Sequence, residues 1–137
     1  MWWIYGLLSA VFAALTAILV KLGVKNINSD LATAIRTVVV LVVTWGIFFA
    51  RSNSGDFGKI TKSTLVFLIL SGIATGLSWI FYFKAMQLGK AFQVAAIDKL
   101  SVAFVVLLSV FILHETFTLK TAIGVAMIIG GAVVMIF

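Results

Sequence analysis

The sequence predicts an all-α membrane protein that crosses the bilayer five times. Hydrophobic residues make up 64% of the 137 residues, and only ten basic and four acidic side chains accompany them. A water-soluble globule of this size needs far more polar surface than that. In addition, apolar stretches long enough to cross about 30 Å of hydrocarbon as helices recur along the chain, separated by short connections. We therefore expect one domain over residues 1–137.

Each predicted span is justified by its length and its lack of charge. The first and fifth each carry one charged residue near one end, Lys21 and Lys120, and the third carries none. The second contains Arg36, and the fourth contains the neighbouring pair Asp98 and Lys99, so these two are accepted only if buried charge is tolerated. In chain order, the spans are residues 2–22, 31–50, 63–83, 91–113 and 120–137.

Several function classes are not expected. The chain has no cysteine and one histidine, so neither a disulfide framework nor a metal site is predicted, and no cofactor motif is present. No nucleophile, base and orienting group recur at usable spacing, so an enzyme is not predicted either. The net charge of +6 comes from basic residues scattered singly through short loops, which does not indicate nucleic-acid binding.

The ends of the spans carry local signals. Near the N-terminus, Trp2, Trp3 and Tyr5 are typical of an interfacial anchor, and the missing basic n-region indicates a retained first helix rather than a signal peptide. Gly23 and Gly89 follow predicted helix ends, as glycine does at C-terminal stops. The N-cap oxygens of the second helix are expected from Asn28, Ser29 and Asp30.

Basic residues in short loops normally collect on the cytoplasmic side. Here four fall on each side of the predicted spans, so the chain is expected to insert in both orientations; the alternative is that another feature fixes one orientation. The side of the N-terminus carries Arg51, Lys59, Lys62 and Lys120, and the other side carries Lys21, Lys25, Lys84 and Lys90.

Polar side chains fall at helical spacing on several spans. Lipid offers them no hydrogen-bond partner, so they are expected to face protein or a water-filled cavity. The alternative is that each hydroxyl only bonds to its own helix or to a neighbouring helix. The candidate cavity residues are Ser9, Thr16, Arg36, Ser71, Thr75, Ser78, Trp79, Tyr82, Asp98, Lys99 and Ser101.

Two other stripes consist of small residues. Ala122, Ala126 and Gly130 lie four apart on the fifth span, and Gly72 and Gly76 do so on the third. Small residues at this spacing let helices approach closely in membranes. These stripes are candidate helix-packing or dimer seams.

The buried charges suggest a wet interior. Arg36 lies about 7.5 Å from the start of its span and Asp98 about 10.5 Å from the start of its own, measured from the same membrane face, so an ion pair between them is available. The alternative is a purely structural salt bridge with Lys99 snorkelling to the interface. Arg36 and Lys99 carry two positive charges, and Asp98 neutralises only one of them. A dry interior disfavours the remaining positive charge, so we expect a hydrated cavity.

The stretch Phe81–Met135 resembles the second part of an EamA domain of the drug/metabolite transporter superfamily. The matching features are an aromatic end to the third span followed by KAMQLG, the pair His114-Glu115 where the family commonly has GE, then TLK and a glycine-bearing fifth span. With five spans, the resemblance covers essentially the whole chain.

The resemblance implies a half-size transporter. Most members carry two such domains in one chain, the second inverted, so the working unit is expected to be a ten-helix antiparallel homodimer in a prokaryotic inner membrane, with solute between the inverted halves. Glu115 corresponds to a family glutamate with a structural role, and we expect it to brace the last hairpin with Lys120. Relatives often have a proline near Asp98, which this chain lacks.

These observations lead to three hypotheses. The first is a secondary transporter, by family habit an exporter, of an anionic or zwitterionic metabolite such as an amino acid, bound by Arg36 and Lys99 and by Trp79 and Tyr82. The second is proton-coupled export of cationic drugs or amines through Asp98. The third is a non-transporting subunit that needs a different partner chain.

Overall fold

The computed structural model describes residues 1–51, 58 and 60–137. Among these residues, every secondary-structure element longer than one turn is an α-helix. By length and composition, five stretches can cross a membrane, because α4 and α5 together form one span, Ala91–Ile112. The prediction of an all-α protein with five spans is confirmed. The helices are α1 Trp2–Gly23, α2 Ser29–Arg51, α3 Lys62–Leu88, α4 Ala91–Asp98, α5 Ser101–Ile112 and α6 Leu119–Ile136.

The chain divides into two compact units. The first, called here the terminal unit, comprises Met1–Lys21 and Leu88–Phe137. The second, the central unit, is the continuous segment Leu22–Gln87.

In the terminal unit, α6 contacts both α4 and α5. Ala96 and Ala132 are 8% and 4% exposed, and their small side chains suit a close approach of helices. The Gln93 side chain donates to the carbonyl of Ile136 (3.2 Å), which provides a partner for an orphan carbonyl in the last turn of α6. The ammonium of Lys21 donates to the carbonyl of Gly89 (2.6 Å).

In the central unit, the buried side chains lie at the start of α2, at the end of α3 and in the loop before α2. Met86 is fully buried and Phe83 is 2% exposed. The other residues are apolar or have a hydrogen bond, as for Thr33, whose hydroxyl donates to the carbonyl of Ser29 (2.9 Å). The buried set is Val24, Ser29, Ala32, Thr33, Phe83 and Met86.

Side-chain caps fix where three helices begin. Asn28 accepts from the backbone N–H groups of Asp30 (2.7 Å) and Leu31 (3.3 Å), so Asn28 is the residue of the predicted triplet that caps α2. Thr61 accepts from the N–H of Thr64 (3.2 Å) at α3. Thr118 caps α6 in the same manner.

The helix ends differ from the expected glycine stops. Gly23 is the last residue of α1 and α3 ends just before Gly89, yet no described glycine has positive φ. Instead, His114 has a φ of 55°. The carbonyl of Ser109 accepts from the N–H groups of both Leu113 (3.0 Å) and Glu115 (3.2 Å), which closes the end of α5. A residue in the left-handed conformation, usually glycine, is a common way to end a helix.

The fourth span is interrupted between α4 and α5. Around the charged pair the backbone bonds shorten to three-residue spacing: Leu100 donates to Ile97 (2.9 Å), Val102 to Lys99 (3.1 Å) and Ala103 to Leu100 (3.0 Å). This is the pattern of a tight 3₁₀-like turn. It forms in a chain that has no proline.

Candidate functional site

Three side chains of the central unit form what we call the Arg36 cluster: Arg36, Trp79 and Phe83. The guanidinium carbon of Arg36 lies 4.2 Å from the centre of the Trp79 ring and 5.6 Å from the centre of the Phe83 ring. Both distances are within the range of cation–π attraction, which contributes about 0.5–2 kcal/mol. The cluster therefore holds a half-buried cation by aromatic contact inside a membrane span.

Helical spacing explains why these residues meet. Ala32 and Thr33, both buried, precede Arg36 by one turn on α2. On α3, Trp79 precedes buried Phe83 by one turn. The cluster thus continues the buried end of the central unit by one layer along both helices.

The cluster has an unbalanced charge. Among the described residues of the central unit, no carboxylate lies within ion-pair distance of Arg36. The flat faces of a guanidinium are what aromatic rings contact, while its N–H donors point outward in its plane. Such an edge is suited to a carboxylate, which can accept two parallel hydrogen bonds.

Asp98 and Lys99 pair with each other. Their charged atoms lie 3.5 Å apart, and the side chains are 42% and 62% exposed. The pair is neutral as a whole, so the positive charge left over is that of Arg36. Arg36 and Asp98 belong to different compact units, and an ion pair between them stays a prediction.

The predicted hydroxyl stripe of α3 is partly accounted for by its own helix. Thr75 donates to the carbonyl of Ser71 (2.9 Å), which is the simpler of the two alternatives for that residue. Ser71 and Ser78 are exposed, whereas Tyr82 is half-buried beside the cluster. Of this stripe, the structure brings Trp79 to Arg36.

The remaining candidate cavity residues lie in the terminal unit. On α1, Thr16 is half-buried next to buried Ala17, while Ser9 is exposed. Ser101 begins α5 and is exposed. A role for these residues in a cavity stays a prediction.

The small-residue seams are open within this chain. A side-chain carbon built at Gly72, Gly76 or Gly130 would meet no described atom within 4 Å. On α6 the buried residue is Ala132, whereas Ala126 is exposed and Ala122 half-buried. The seams are therefore accessible to another helix.

Glu115 lies in the last connection and Lys120 in the first turn of α6, and both are exposed. Glu115 uses its backbone N–H to close the end of α5, as described above. The brace between the two side chains stays a prediction. Lys59, one of the basic residues in the loop-charge count, lies outside the described residues.

Two contributing residues were not predicted from the sequence. Phe83 lies beneath the guanidinium, and Gln87 lies one turn further along α3. The available signal was the four-residue spacing of Trp79, Phe83 and Gln87, which places them along one side of a helix. A polar amide at the end of an apolar helix is a second signal, since it can bond to nearby loop carbonyls.

Comparison with known proteins gives one consistent result. The model of the EamA-like transporter family matches residues 1–137. The chain is also 48% identical, over 134 residues, to an uncharacterized transporter encoded in the cobO 3′ region of a Sinorhizobium species. That match covers 98% of this chain and 95% of the relative. No solved structure matches the chain.

Proposed function

Because the chain belongs to the EamA-like transporter family, we propose that it is a secondary transporter that exports small metabolites carrying a carboxylate, such as amino acids. Two copies, one inverted relative to the other, enclose the solute and expose it alternately to the two sides of the membrane. The transporter name of the Sinorhizobium relative supports the general activity.

The observation that carries the substrate class is the Arg36 cluster. A guanidinium inside a membrane span is costly unless it has a partner. Trp79 and Phe83 satisfy its faces, and a solute carboxylate supplies the missing anion at its edge. The apolar part of the solute packs against the aromatic side chains near the guanidinium, including Tyr82.

Four observations support the inverted pair. The family model matches residues 1–137, and the match to the Sinorhizobium relative covers 95% of that protein. An odd number of spans makes two copies complementary when one is inverted. The loop charges are balanced, and the glycine seams of α3 and α6 are open to another helix.

Uptake by proteoliposomes tests the substrate class. Vesicles preloaded with unlabelled leucine are diluted into labelled leucine, and counterflow is compared for the wild type, Arg36→Gln and Arg36→Lys. Loss of a charge-assisted hydrogen-bond pair corresponds to about 1.5–3 kcal/mol, so we expect counterflow in Arg36→Gln to fall by roughly tenfold or more. Arg36→Lys keeps the charge but not the planar fork, and we expect only partial recovery.

The control is Lys62→Gln with Lys84→Gln, which removes two exposed positive charges from α3, the helix of Trp79, and keeps the loop charges balanced at one fewer on each side. It should transport leucine normally. Undiminished counterflow in Arg36→Gln would contradict the proposal. Uptake of the decarboxylated analogue 3-methylbutylamine instead of leucine, abolished by Asp98→Asn, would favour a cation exporter.

A further inference from the structure

Gln87 connects the end of α3 to the loop that leads into α2. Its amide nitrogen donates to the carbonyl of Val24 (2.9 Å) and to that of Ile27 (2.7 Å). An amide group has two N–H donors, and both are engaged here. One side chain therefore holds two points of the loop at once.

Both ends of this connection lead to the Arg36 cluster. The loop enters α2 through the Asn28 cap, directly after Ile27, and α2 then carries Arg36 two turns further on. On α3, Phe83 and Trp79 precede Gln87 by four and eight residues, so all three lie along the same side of the helix. Any slip of the loop along α3 would shift Arg36 relative to the two rings.

The connection matters more in lipid than it would in water. In lipid, the hydrophobic effect does not drive two apolar helices together, because lipid tails are as apolar as their side chains. Small residues and hydrogen bonds therefore determine the register between the helices. None of the described side chains is buried from residue 37 to the end of α2, or from the start of α3 to residue 78. The register of the cluster thus depends on contacts at this one end.

We propose that Gln87 is a positioning residue of the solute site: its two hydrogen bonds to the loop hold the Arg36 guanidinium over Trp79 and present its free edge to the carboxylate. The transport consequence rests on the proposed function. The positional consequence does not, since it concerns only the stacking of Arg36 on Trp79.

Fluorescence of Trp79 tests the positional consequence. In full-length protein with Trp2, Trp3 and Trp45 replaced by Phe, Trp79 is the only indole, and Arg36→Gln in that background defines the emission of an unstacked ring. We expect Gln87→Leu to reproduce most of that emission shift. Gln87→Glu, which keeps the shape but loses both donors, should do the same.

The matched control is Gln93→Leu. Gln93 also donates from its amide to a backbone carbonyl at a helix end, but it lies in the terminal unit. It should leave Trp79 emission unchanged. Trp79 emission that stays at the wild-type value in both Gln87 variants, or that shifts equally in Gln93→Leu, would overturn the proposal.

Leucine counterflow gives the second readout. Misplaced binding groups weaken binding steeply, so Gln87→Leu should raise the apparent KM for leucine roughly tenfold while the maximal rate changes little. Equal loss of maximal rate in Gln87→Leu and Gln93→Leu would indicate a structural role only and count against the proposal. If wild-type protein moves no leucine, the proposed function fails for this solute, and the emission of Trp79 still decides the role of Gln87.

Discussion

At the scale of single residues, two side chains occupy unusual settings. Arg36 lies within a membrane span and is stabilised by aromatic rings, and no carboxylate among the described residues of its own unit pairs with it. Its half-buried position and free planar edge are what make it the centre of the proposed site. His114 occupies a left-handed backbone conformation at the end of α5.

The left-handed conformation of His114 leads to a stability prediction. A side chain with a Cβ in this region costs about 1–2 kcal/mol per residue, less for residues such as His that tolerate it. We expect His114→Gly to raise the free energy of unfolding by about 0.5–1 kcal/mol, and His114→Val to lower it. Denaturant unfolding of the detergent-solubilised protein measures both.

Glu115 provides the control for this prediction, since His114 is the described non-glycine residue with positive φ. At Glu115, glycine only adds freedom to the unfolded chain, so Glu115→Gly should destabilise. A stabilising Glu115→Gly together with a destabilising His114→Gly would show that backbone conformation does not govern this helix end.

At the scale of elements, the interruption of the fourth span is the main departure from regular α-helical hydrogen bonding. Asp98 and Lys99 lie next to each other at the turn, where the hydrogen-bond spacing shortens. Two charges in one span make its insertion marginal, because each costs about 2.5–3.5 kcal/mol at the centre of a helix. The neighbouring elements of the terminal unit, above all α6, therefore contribute to keeping this span in place.

This leads to a prediction about insertion. Replacing Asp98 and Lys99 together by leucine should lower the apparent insertion free energy of residues 91–113 by about 5–7 kcal/mol. The measurement is glycosylation of that segment in a host membrane protein. The matched comparison is Ser101→Leu with Ser109→Leu, which removes polar groups without charge and should change insertion far less. Equal insertion of the native and the doubly substituted segment would contradict the expected cost of the charges.

At the scale of the whole molecule, the balance of loop charges bears on the assembly. Four basic residues on each side predict no preferred orientation, which is what the proposed pair of inverted copies requires. Membership of the EamA-like family and the five spans make each chain one half of a ten-helix unit in the proposed function.

Shifting the charge balance tests this arrangement. Lys84→Gln with Lys90→Gln leaves the N-terminal side in excess, and Lys62→Gln with Lys120→Gln leaves the other side in excess. We expect each pair to fix one orientation, opposite to the other, as reported by C-terminal phosphatase and fluorescent-protein fusions. Each fixed protein alone should lose transport, and coexpression of the two should restore it.

The wild-type protein should give both fusion signals. A single wild-type orientation, with a different membrane protein that co-purifies, would instead favour the hypothesis of a subunit with another partner chain. If a protein fixed in one orientation transports leucine on its own, inversion is not required.

The sequence by itself determined the class of the protein: an all-helical membrane protein with five spans, whose KAMQLG and His114-Glu115 features resemble the EamA family that was then confirmed. It did so because hydrophobic length and charge are local properties that a chain carries before it folds. Helix caps such as Asn28 were predictable for the same reason.

Only the tertiary structure decided which distant residues meet. The contacts of Arg36 with Trp79 and Phe83, and of Gln87 with the loop before α2, join residues more than forty positions apart. Helical periodicity gives the side of a helix on which a residue lies, but not the neighbouring helix that this side contacts or its register. The interruption next to Asp98 is likewise seen only in the backbone hydrogen bonds of the structure. The chain has no proline from which the sequence could have predicted it.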